Sequence, residues 1–309
     1  MDMYQKRKKR QEKKNNENKK ETQNQTNINW YPGHMARARR EIGEAVKLVD
    51  VVFEIIDARI PRASRNPILN EIIGEKPRVI VLNKADLADK EATQKWIKYF
   101  NSKNQIAVVA DSNQGKGIKE ATDAAYKLMA DKISKQVEKG RTGAGIKAMI
   151  VGIPNVGKST FINKAAKKQT AEVGNKPGVT RKNQWVRLSE NINLLDTPGV
   201  LWPKFDDEVL ARHLAYIGTI KDEILDTEEL ALRLIEELLV NHKKELYARY
   251  KVADDFEYDM SYEVMDEIGR KRGCLVRGGE IDYTKVANIV LDEFRNGKIG
   301  NITLEEVEW

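Results

Sequence analysis

The loop from Gly152 to Ser159 constrains the fold of this chain more than any other feature. Its glycines let the backbone wrap closely around an anion, so that successive N–H groups point inward. The apolar run Ala148–Val151 before the loop predicts a buried strand, and the segment Lys158–Lys167 predicts a helix that offers its N-terminus to the anion. A strand, a glycine-lysine loop and a helix in this order are typical of a phosphate-binding loop in an α/β protein.

Two side chains of this loop carry the chemistry. Lys158 supplies a positive charge for the β- and γ-phosphates of a nucleoside triphosphate, so we predict that it contributes both to binding and to catalysis. The Ser159 hydroxyl is a predicted Mg²⁺ ligand. The other nucleotide contacts predicted in this segment are Asn155, Val156, Gly157 and Thr160.

Two motifs after the loop predict the rest of the magnesium and γ-phosphate site. Asp196 ends the apolar run Ile192–Leu195, where a carboxylate can hold Mg²⁺ through a water molecule. The Gly199 N–H can meet the γ-phosphate, and the Thr180 hydroxyl would complete the Mg²⁺ shell, so both are predicted to take part in catalysis. Taken alone, Asp196 could cap a loop and Thr180 could lie in an ordinary turn. Their spacing after a phosphate loop favours the functional interpretation.

A different motif predicts which base is bound. Asn83-Lys84-Ala85-Asp86 follows the predicted strand Arg78–Leu82, and Asp86 can accept two hydrogen bonds from the N1–H and amine of guanine. Adenine presents no such pair of donors, and a polar site discriminates strongly against a ligand that leaves it unpaired. On its own the motif could be a strand-to-helix turn with Asp86 near a cap; beside a phosphate loop it favours GTP over ATP. The predicted base-side contacts are Asn83, Lys84, Asp86, Leu87, Ser112 and Asn113.

The order of these motifs is reversed relative to an ordinary GTPase, in which the phosphate loop comes first. Every motif is present, but the chain order is rotated as in a circular permutation. Predicted strands and helices still alternate, which indicates an α/β fold with a doubly wound, mostly parallel sheet and a ligand at the C-terminal ends of the strands. The remaining strands are predicted at Val51–Ile56 and Ile106–Ala110, and the helices at Met35–Val49, Lys90–Phe100 and Ile118–Lys139.

The chain changes character after Pro203, where every predicted element is helical: Asp206–Ile217, Thr227–Leu239, Tyr262–Arg272 and Tyr283–Asn296. Basic residues such as Lys243, Lys244 and Lys271 lie among acidic ones, which fits either a solvated mixed surface or an RNA-facing patch. We therefore predict a basic tail (1–28), a permuted nucleotide-binding domain (29–203) and a small helical domain (204–309). Because the helical domain follows the switch loop at Asp196 directly, we expect GTP to shift its orientation.

Most of the net charge of +7 lies in the tail. Residues 1–27 contain nine Lys or Arg and four acidic residues, a balance of +5. A segment this polar cannot bury enough apolar surface to offset its ordering entropy, so we expect it to be disordered in isolation. It either aids solubility or contacts RNA phosphates in a sequence-independent manner that salt weakens.

These motifs resemble those of the circularly permuted GTPases, in particular the ribosome biogenesis GTPase A (YlqF/RbgA) family. The matching segments are 30–35, 57–61, 83–87, 152–160, 174–181 and 196–203. The resemblance implies a GTP-hydrolysing switch in late assembly of the large ribosomal subunit, with rRNA and ribosomal proteins as partners and an RNA-binding helical domain. It also implies a catalytic role for His34, and related potassium-activated GTPases imply a K⁺ ligand at Asn155, beside the Mg²⁺ site. The alternative for Asn155 is a loop residue that tolerates an unusual backbone conformation.

The predicted hydrolytic machinery lacks one part. Many GTPases place a Gln after the switch glycine to orient the attacking water, whereas Val200 follows Gly199 here, and an apolar side chain cannot align water. Even Ras-type enzymes with that Gln turn over at only about 10⁻⁴ per second alone. We therefore expect a low intrinsic rate that the ribosomal particle stimulates by positioning His34. The alternative for His34 is a partly buried structural role, and His213 and His242, in helical patterns, are expected to be structural.

Composition predicts the surroundings of the protein. The single Cys274 excludes an internal disulfide framework and suits a reducing compartment. No apolar run approaches the roughly 20 residues that span a bilayer, and the start lacks the apolar core of a secretory signal. We expect a cytoplasmic protein without membrane contact, with monomer as the default. One other class of function stays open: a non-hydrolysing, GTP-dependent binding module or scaffold for a protein partner.

Overall fold

The computed structural model describes residues 32–102, 104–139, 145–166, 184–189, 191–197, 207–252 and 261–307. The basic tail and the predicted switch residues Thr180 and Gly199 lie outside these ranges, as does Val200. His34 falls in the first turn of a helix, but its side chain is outside the described part.

The described strands form one six-stranded sheet in the order β3-β2-β1-β4-β6-β5. They are β1 (Val51–Asp57), β2 (Arg78–Asn83), β3 (Gln105–Val109), β4 (Ile146–Val151), β5 (Gln184–Ser189) and β6 (Ile192–Asp196). All neighbours pair in parallel except β5, which runs antiparallel to β6 at the edge. The strand order reverses between β1 and β4, and such a switch point is where open α/β sheets bind ligands.

Helices cover both faces of this sheet. They are α1 (Pro32–Lys47), α2 (Pro67–Ile73), α3 (Lys90–Phe100), α4 (Ile118–Leu128), α5 (Ala130–Glu138) and α6 (Lys158–Ala165). Val52 and Ile56 of β1 belong to the core beneath α1, α2 and α3, whereas Phe53 and Ile55 belong to the core beneath α4 and α6. This alternation along one strand confirms the predicted doubly wound, mostly parallel sheet, and we call this part the sheet region.

A helical region follows, as predicted. It contains α7 (Glu208–Tyr216), a 3₁₀ turn (Asp222–Ile224), α8 (Thr227–Asn241), α9 (Lys243–Tyr250), α10 (Ser261–Lys271) and α11 (Tyr283–Arg295). Leu230, Leu234 and Leu238 of α8 are buried, which confirms that their stripe belongs to a core. Among the described residues, no helix combines the length and the apolar character needed to cross a bilayer.

Some predicted elements differ from the structure. The helix predicted over Ile118–Lys139 is divided at Met129, whose backbone leaves the helical range (φ −101°, ψ 7°). Helix α4 buries three alanines whereas α5 buries no residue, so the second half lacks the packing that would hold one continuous helix. The predictions missed α2, α9 and β5, which are short, and β5 is an edge strand with Gln184, Trp185 and Arg187 exposed.

Residues 298–307, which we call the C-terminal strap, run from α11 back onto the sheet region. The Ile302 N–H donates to the Leu87 carbonyl over 3.0 Å, and the Leu304 N–H donates to the Arg59 carbonyl over 2.8 Å. The carboxylate of Glu305 accepts main-chain N–H bonds from residues 62 and 63. The strap therefore gives loops at the C-terminal edge of the sheet main-chain partners that are more than two hundred positions away in the chain.

His213 of α7 lies between two carboxylates. Its Nδ1 is 2.9 Å from Glu305 of the strap, and its Nε2 is 2.7 Å from Glu237 of α8. Burial favours the neutral ring, but the hydrogen bonds and negative charges of Glu237 and Glu305 outweigh burial and raise the pKa of His213 to about 9. A charged His213 thus ties α7 and α8 to the strap, which agrees with the structural role predicted for it.

We expect the free energy of unfolding to fall as the pH rises from 6.5 through about 9. The folded protein binds the His213 proton more tightly than the unfolded chain, so this stabilisation is complete below pH 6.5 and is lost above about pH 9. The shift corresponds to about 3 kcal/mol. Urea denaturation across this range measures the effect. His213→Gln should flatten the pH dependence, whereas His242→Gln, a matched histidine of the same region, should keep it; an unchanged slope in His213→Gln would contradict the assignment.

Candidate nucleotide-binding site

The predicted phosphate loop joins the end of β4 to the start of α6, at the switch point of the sheet. Asn155 and Gly157 both have positive φ angles, 65° and 94°. A Cβ on Gly157 would lie 2.2 Å from the Asn83 Nδ2 atom, so only glycine fits where the loop meets the neighbouring motif. Left-handed residues within a turn are a feature of the backbone concavities that bind anions.

Asn83 joins the phosphate loop to the base-reading motif. Its Nδ2 donates to the Val156 carbonyl over 2.7 Å. Its Oδ1 accepts from the Ser112 N–H at 3.0 Å and from the Ser112 hydroxyl at 2.7 Å. Asn83 and Ser112 are both buried, so these bonds are shielded from water. Three segments that are far apart in the sequence therefore meet at one amide.

The carboxylate that the sequence predicts to read guanine is at the protein surface beside this junction. Asp86 is exposed, and Asn113 of the facing loop is exposed as well. Although the residue is exposed, neighbouring groups partly desolvate its carboxyl, and this desolvation, followed by the negative charge of Asp111, raises the pKa of Asp86. A guanine that donates two hydrogen bonds would stabilise the charged form of this carboxylate. The position suits the base-reading role that the sequence predicts.

Two of the residues predicted to hold phosphate and Mg²⁺, Lys158 and Asp196, lie close enough for their charges to interact. Lys158 is buried, and burial lowers its pKa to about 8 despite the opposing charge of Asp196. The Lys158 ammonium donates to the Thr197 carbonyl. Neither oxygen of the fully buried Asp196 has a hydrogen bond of normal geometry within the described residues. Burial raises the pKa of Asp196 and outweighs the opposing effects of the Lys158 charge and of Gln184.

This donor set fits Mg²⁺. A buried carboxylate without a hydrogen-bond partner is costly unless a cation or ordered water meets it. Ser159, the first residue after Lys158 in α6, contributes a hydroxyl oxygen, and Mg²⁺ commonly takes one or two protein oxygens, water and substrate phosphates. Asp196 and Ser159 are therefore the described residues that would hold it.

An ion-pair network beneath the base-reading motif was not predicted. Lys84 Nζ lies 3.1 Å from the carboxylate of Asp57 at the end of β1. Arg59 donates two hydrogen bonds to the same carboxylate, from Nε at 2.9 Å and from Nη2 at 2.8 Å. Burial disfavours the charged carboxylate, but the two cations outweigh it and hold the pKa of Asp57 far below its usual range. The network fixes the lysine of the guanine motif. The sequence feature that could have indicated this network is Asp57, an acidic residue at the end of the apolar run that forms β1.

The other residues predicted to contact the nucleotide lie in different surroundings. Val156 contributes its carbonyl to Asn83, and Thr160 is half-buried in α6. Leu87 contacts the C-terminal strap through its carbonyl. The Asn155 side chain donates to the Gly218 carbonyl of the helical region over 2.5 Å. The assignments of Thr180, Gly199 and the His34 side chain fall outside the described residues, and all of these site residues stay predictions.

The fold and the site together define a class of protein: a circularly permuted P-loop GTPase, in which the guanine motif on β2 precedes the phosphate loop on β4. A family model described as 50S ribosome-binding GTPase matches residues 147–254. Ribosome biogenesis GTPase A from Bacillus cereus is 48% identical over 284 residues, which cover 91% of this chain and 94% of that protein. The chain belongs to the ribosome biogenesis GTPase A family, and it hydrolyses GTP.

A second relative and a solved structure support the same family and fold. The protein of the same name from Priestia megaterium is 45% identical over 280 residues, covering 90% of this chain and 96% of that protein. A solved GDP-bound structure of TM YlqF superposes with a TM-score of 0.62 at 27% identity and covers 86% of this chain and 99% of that chain. The predicted fold class and the resemblance to the YlqF/RbgA family are both confirmed.

Proposed function

We propose that this GTPase acts in the cytoplasm during late assembly of the large ribosomal subunit, binding the particle with GTP and leaving it after hydrolysis. One observation carries the proposal: the 48% identity to Ribosome biogenesis GTPase A extends over 94% of that protein, so the match includes the helical region as well as the nucleotide site. The name of the matching family model, 50S ribosome-binding GTPase, supports the choice of the large subunit.

The roles proposed for the site residues follow from their chemistry. Lys158 neutralises charge on the β- and γ-phosphates, and Ser159 and Asp196 hold Mg²⁺, the latter through water. Mg²⁺, when bound, draws negative charge from the phosphates. Thr180 and Gly199 would respond to the γ-phosphate as switch residues. Because Val200 cannot orient water, we propose that His34 does so when the particle places the N-terminal segment over the nucleotide.

We also propose that Asn155 takes part in K⁺ binding. Its Nδ2 donates to the Gly218 carbonyl, so the amide is turned with its nitrogen toward the helical region and its oxygen away from Gly218. An amide oxygen fixed in this way is a suitable ligand for a monovalent cation. K⁺ would then contribute positive charge where other GTPases use an arginine finger.

RNA binding is proposed for two parts of the chain. The basic tail, residues 1–28, carries charge suited to phosphate contacts, and in the helical region Lys243, Lys244 and Arg277 are exposed. Other basic residues there are paired with acidic ones, as Arg270 and Lys271 are with Glu267. We propose three units with boundaries at residues 1–28, 29–203 and 204–309, and a monomer as the active form.

GTP turnover with and without purified large subunits, in KCl and in NaCl, tests the proposal. We expect the particle to raise the turnover number, with a further increase in KCl. His34→Ala should lose about 10²-fold or more of the particle-stimulated rate and little of the intrinsic rate, because general-base positioning is worth that much. His242→Ala is the matched control and should keep the stimulation. Equal stimulation of wild type and His34→Ala would contradict the role of His34.

Slow turnover in every condition, together with tight GTP binding, would contradict the assembly role and favour the GTP-dependent scaffold for a protein partner. Salt separates the two kinds of partner. Binding to rRNA should weaken steeply as salt rises because each phosphate contact releases counterions. Binding to an apolar protein surface should not.

A further inference from the structure

Arg295, the last residue of α11, holds the turn that follows α7. Its Nε donates to the Tyr216 carbonyl at 2.9 Å and its Nη2 to the Ala215 carbonyl at 3.0 Å, so it caps the C-terminal end of α7. The same guanidinium forms two further bonds, of 2.6 and 2.8 Å, with the carboxylate of Asp222. The turn between Tyr216 and Asp222 is therefore held at both ends by one planar side chain.

This turn lies against the phosphate loop. The Gly218 carbonyl accepts from Asn155 Nδ2 over 2.5 Å, and the Thr219 hydroxyl donates to the Pro154 carbonyl over 3.3 Å. Thr219 is fully buried, so the contact excludes water. Asn155 adopts a left-handed backbone conformation (φ 65°), which asparagine tolerates better than most residues with a side chain, and its side-chain bond to Gly218 holds it there.

The end of α11 is itself anchored on the sheet region. Arg59 Nη1 donates to the carbonyl of Arg295 at 3.0 Å and to that of Phe294 at 3.3 Å. These carbonyls lie in the last turn of α11, where the helix dipole favours a cation, and the Phe294 carbonyl also accepts from the Gly297 N–H at 3.1 Å. Arg59 is fully buried and is fixed in turn by Asp57. The position of Arg295 relative to the sheet is thus set by an ion pair next to the guanine motif.

We propose that Arg295 is a positioning residue for nucleotide binding: it presses the turn at Gly218 and Thr219 onto Pro154 and Asn155 and so holds the phosphate loop in its nucleotide-binding shape. The helical region then supports the phosphate loop directly, by a route separate from the switch loop. A partner that moves the helical region away would weaken nucleotide binding, and by linkage nucleotide binding would favour the docked helical region.

Release of a fluorescent GDP analogue from the full chain, followed by stopped flow, tests the proposal. Arg295→Ala is expected to speed release about fivefold to tenfold. Arg295→Lys should not restore the wild-type rate, because an ammonium cannot bond Asp222 and two carbonyls in one plane. Arg249→Ala is the matched control, because Arg249 also donates two hydrogen bonds to a carboxylate, that of Glu293 on the helix α11 that carries Arg295. This variant should leave the release rate within about twofold of wild type.

A double-mutant cycle separates positioning from general destabilisation. If Arg295 acts through the phosphate loop, Arg295→Ala should change release less in an Asn155→Ala background than in wild type, because one of the two contacts that it supports, the bond from Asn155 to Gly218, is already lost. Release rates that multiply independently, or an Arg295→Ala rate equal to that of Arg249→Ala, would overturn the proposal. Should Arg295→Ala fold poorly, Asp222→Asn replaces Arg295→Ala in the cycle, because it weakens the ion pair of Arg295 without removing the side chain.

Discussion

Asp86→Asn is expected to lower the affinity for GTP by about 10²-fold and to raise the affinity for xanthosine triphosphate by a similar factor. The carboxylate of Asp86 accepts hydrogen bonds and cannot donate them, so it matches the N1–H and amine of guanine. Xanthine carries a carbonyl oxygen in place of that amine, and an asparagine amide can donate to it. Competition of each triphosphate against a fluorescent guanine nucleotide measures both changes.

The structure supplies the control for this experiment. Asp89, three residues after Asp86, caps α3 by accepting from the Ala92 N–H at 2.7 Å, and asparagine caps helices as well as aspartate does. Asp89→Asn should therefore change neither affinity. The surrounding loop stays fixed in both variants because Asn83 and Ser112 hold it from below. An Asp86→Asn protein that keeps its preference for GTP over the xanthine nucleotide would show that another residue reads the base.

Lys158→Met is expected to reduce GTP hydrolysis by about 10³-fold, because it removes the buried positive charge that the phosphates would meet. The loss should be larger for the triphosphate than for GDP, since the charge serves the γ-phosphate as well as the β-phosphate. Single-turnover hydrolysis and titrations with GTP and GDP measure the two effects. Methionine is unbranched and only one atom shorter than lysine, so the change removes chiefly the charge.

Lys164→Met, on the exposed side of the same helix, is the matched control and should leave both quantities near wild type. The pKa of Lys158, lowered to about 8 by burial, adds a second signature. Phosphate binding above pH 8 should take up a proton, because an anion next to the ammonium favours its charged form. A Lys158→Met protein that hydrolyses GTP at the wild-type rate would remove the phosphate loop from the mechanism.

Much of the sheet and both nucleotide motifs could be predicted from the sequence. The motifs follow apolar runs that become β2, β4 and β6, and strands buried on both faces read clearly as continuous apolar segments. Parallel strands present their C-terminal ends at one edge, so motifs following different strands were expected to converge there. The hydrogen bonds of Asn83 with Val156 and Ser112 show that these segments do meet at that edge.

The connections between the sheet and the helical region could not be predicted. Arg59, Arg295 and Glu305 are charged residues that also contact segments far away in the chain, and no local pattern distinguishes them from solvated charges. The short elements α2, α9 and β5 were missed for a related reason: a single turn or two of apolar spacing is too weak a signal, and tertiary packing decides such segments.

The C-terminal strap has a consequence for the synthesis of the protein. Chains are made from the N-terminus, and domains generally begin to fold as they emerge. The sheet region can thus collapse early, but Leu87 and Arg59 obtain their partners at Ile302 and Leu304 only after the helical region has also been made. The main chain at Leu87, directly after the predicted guanine motif, therefore gains this hydrogen bond only once residue 302 has been synthesised.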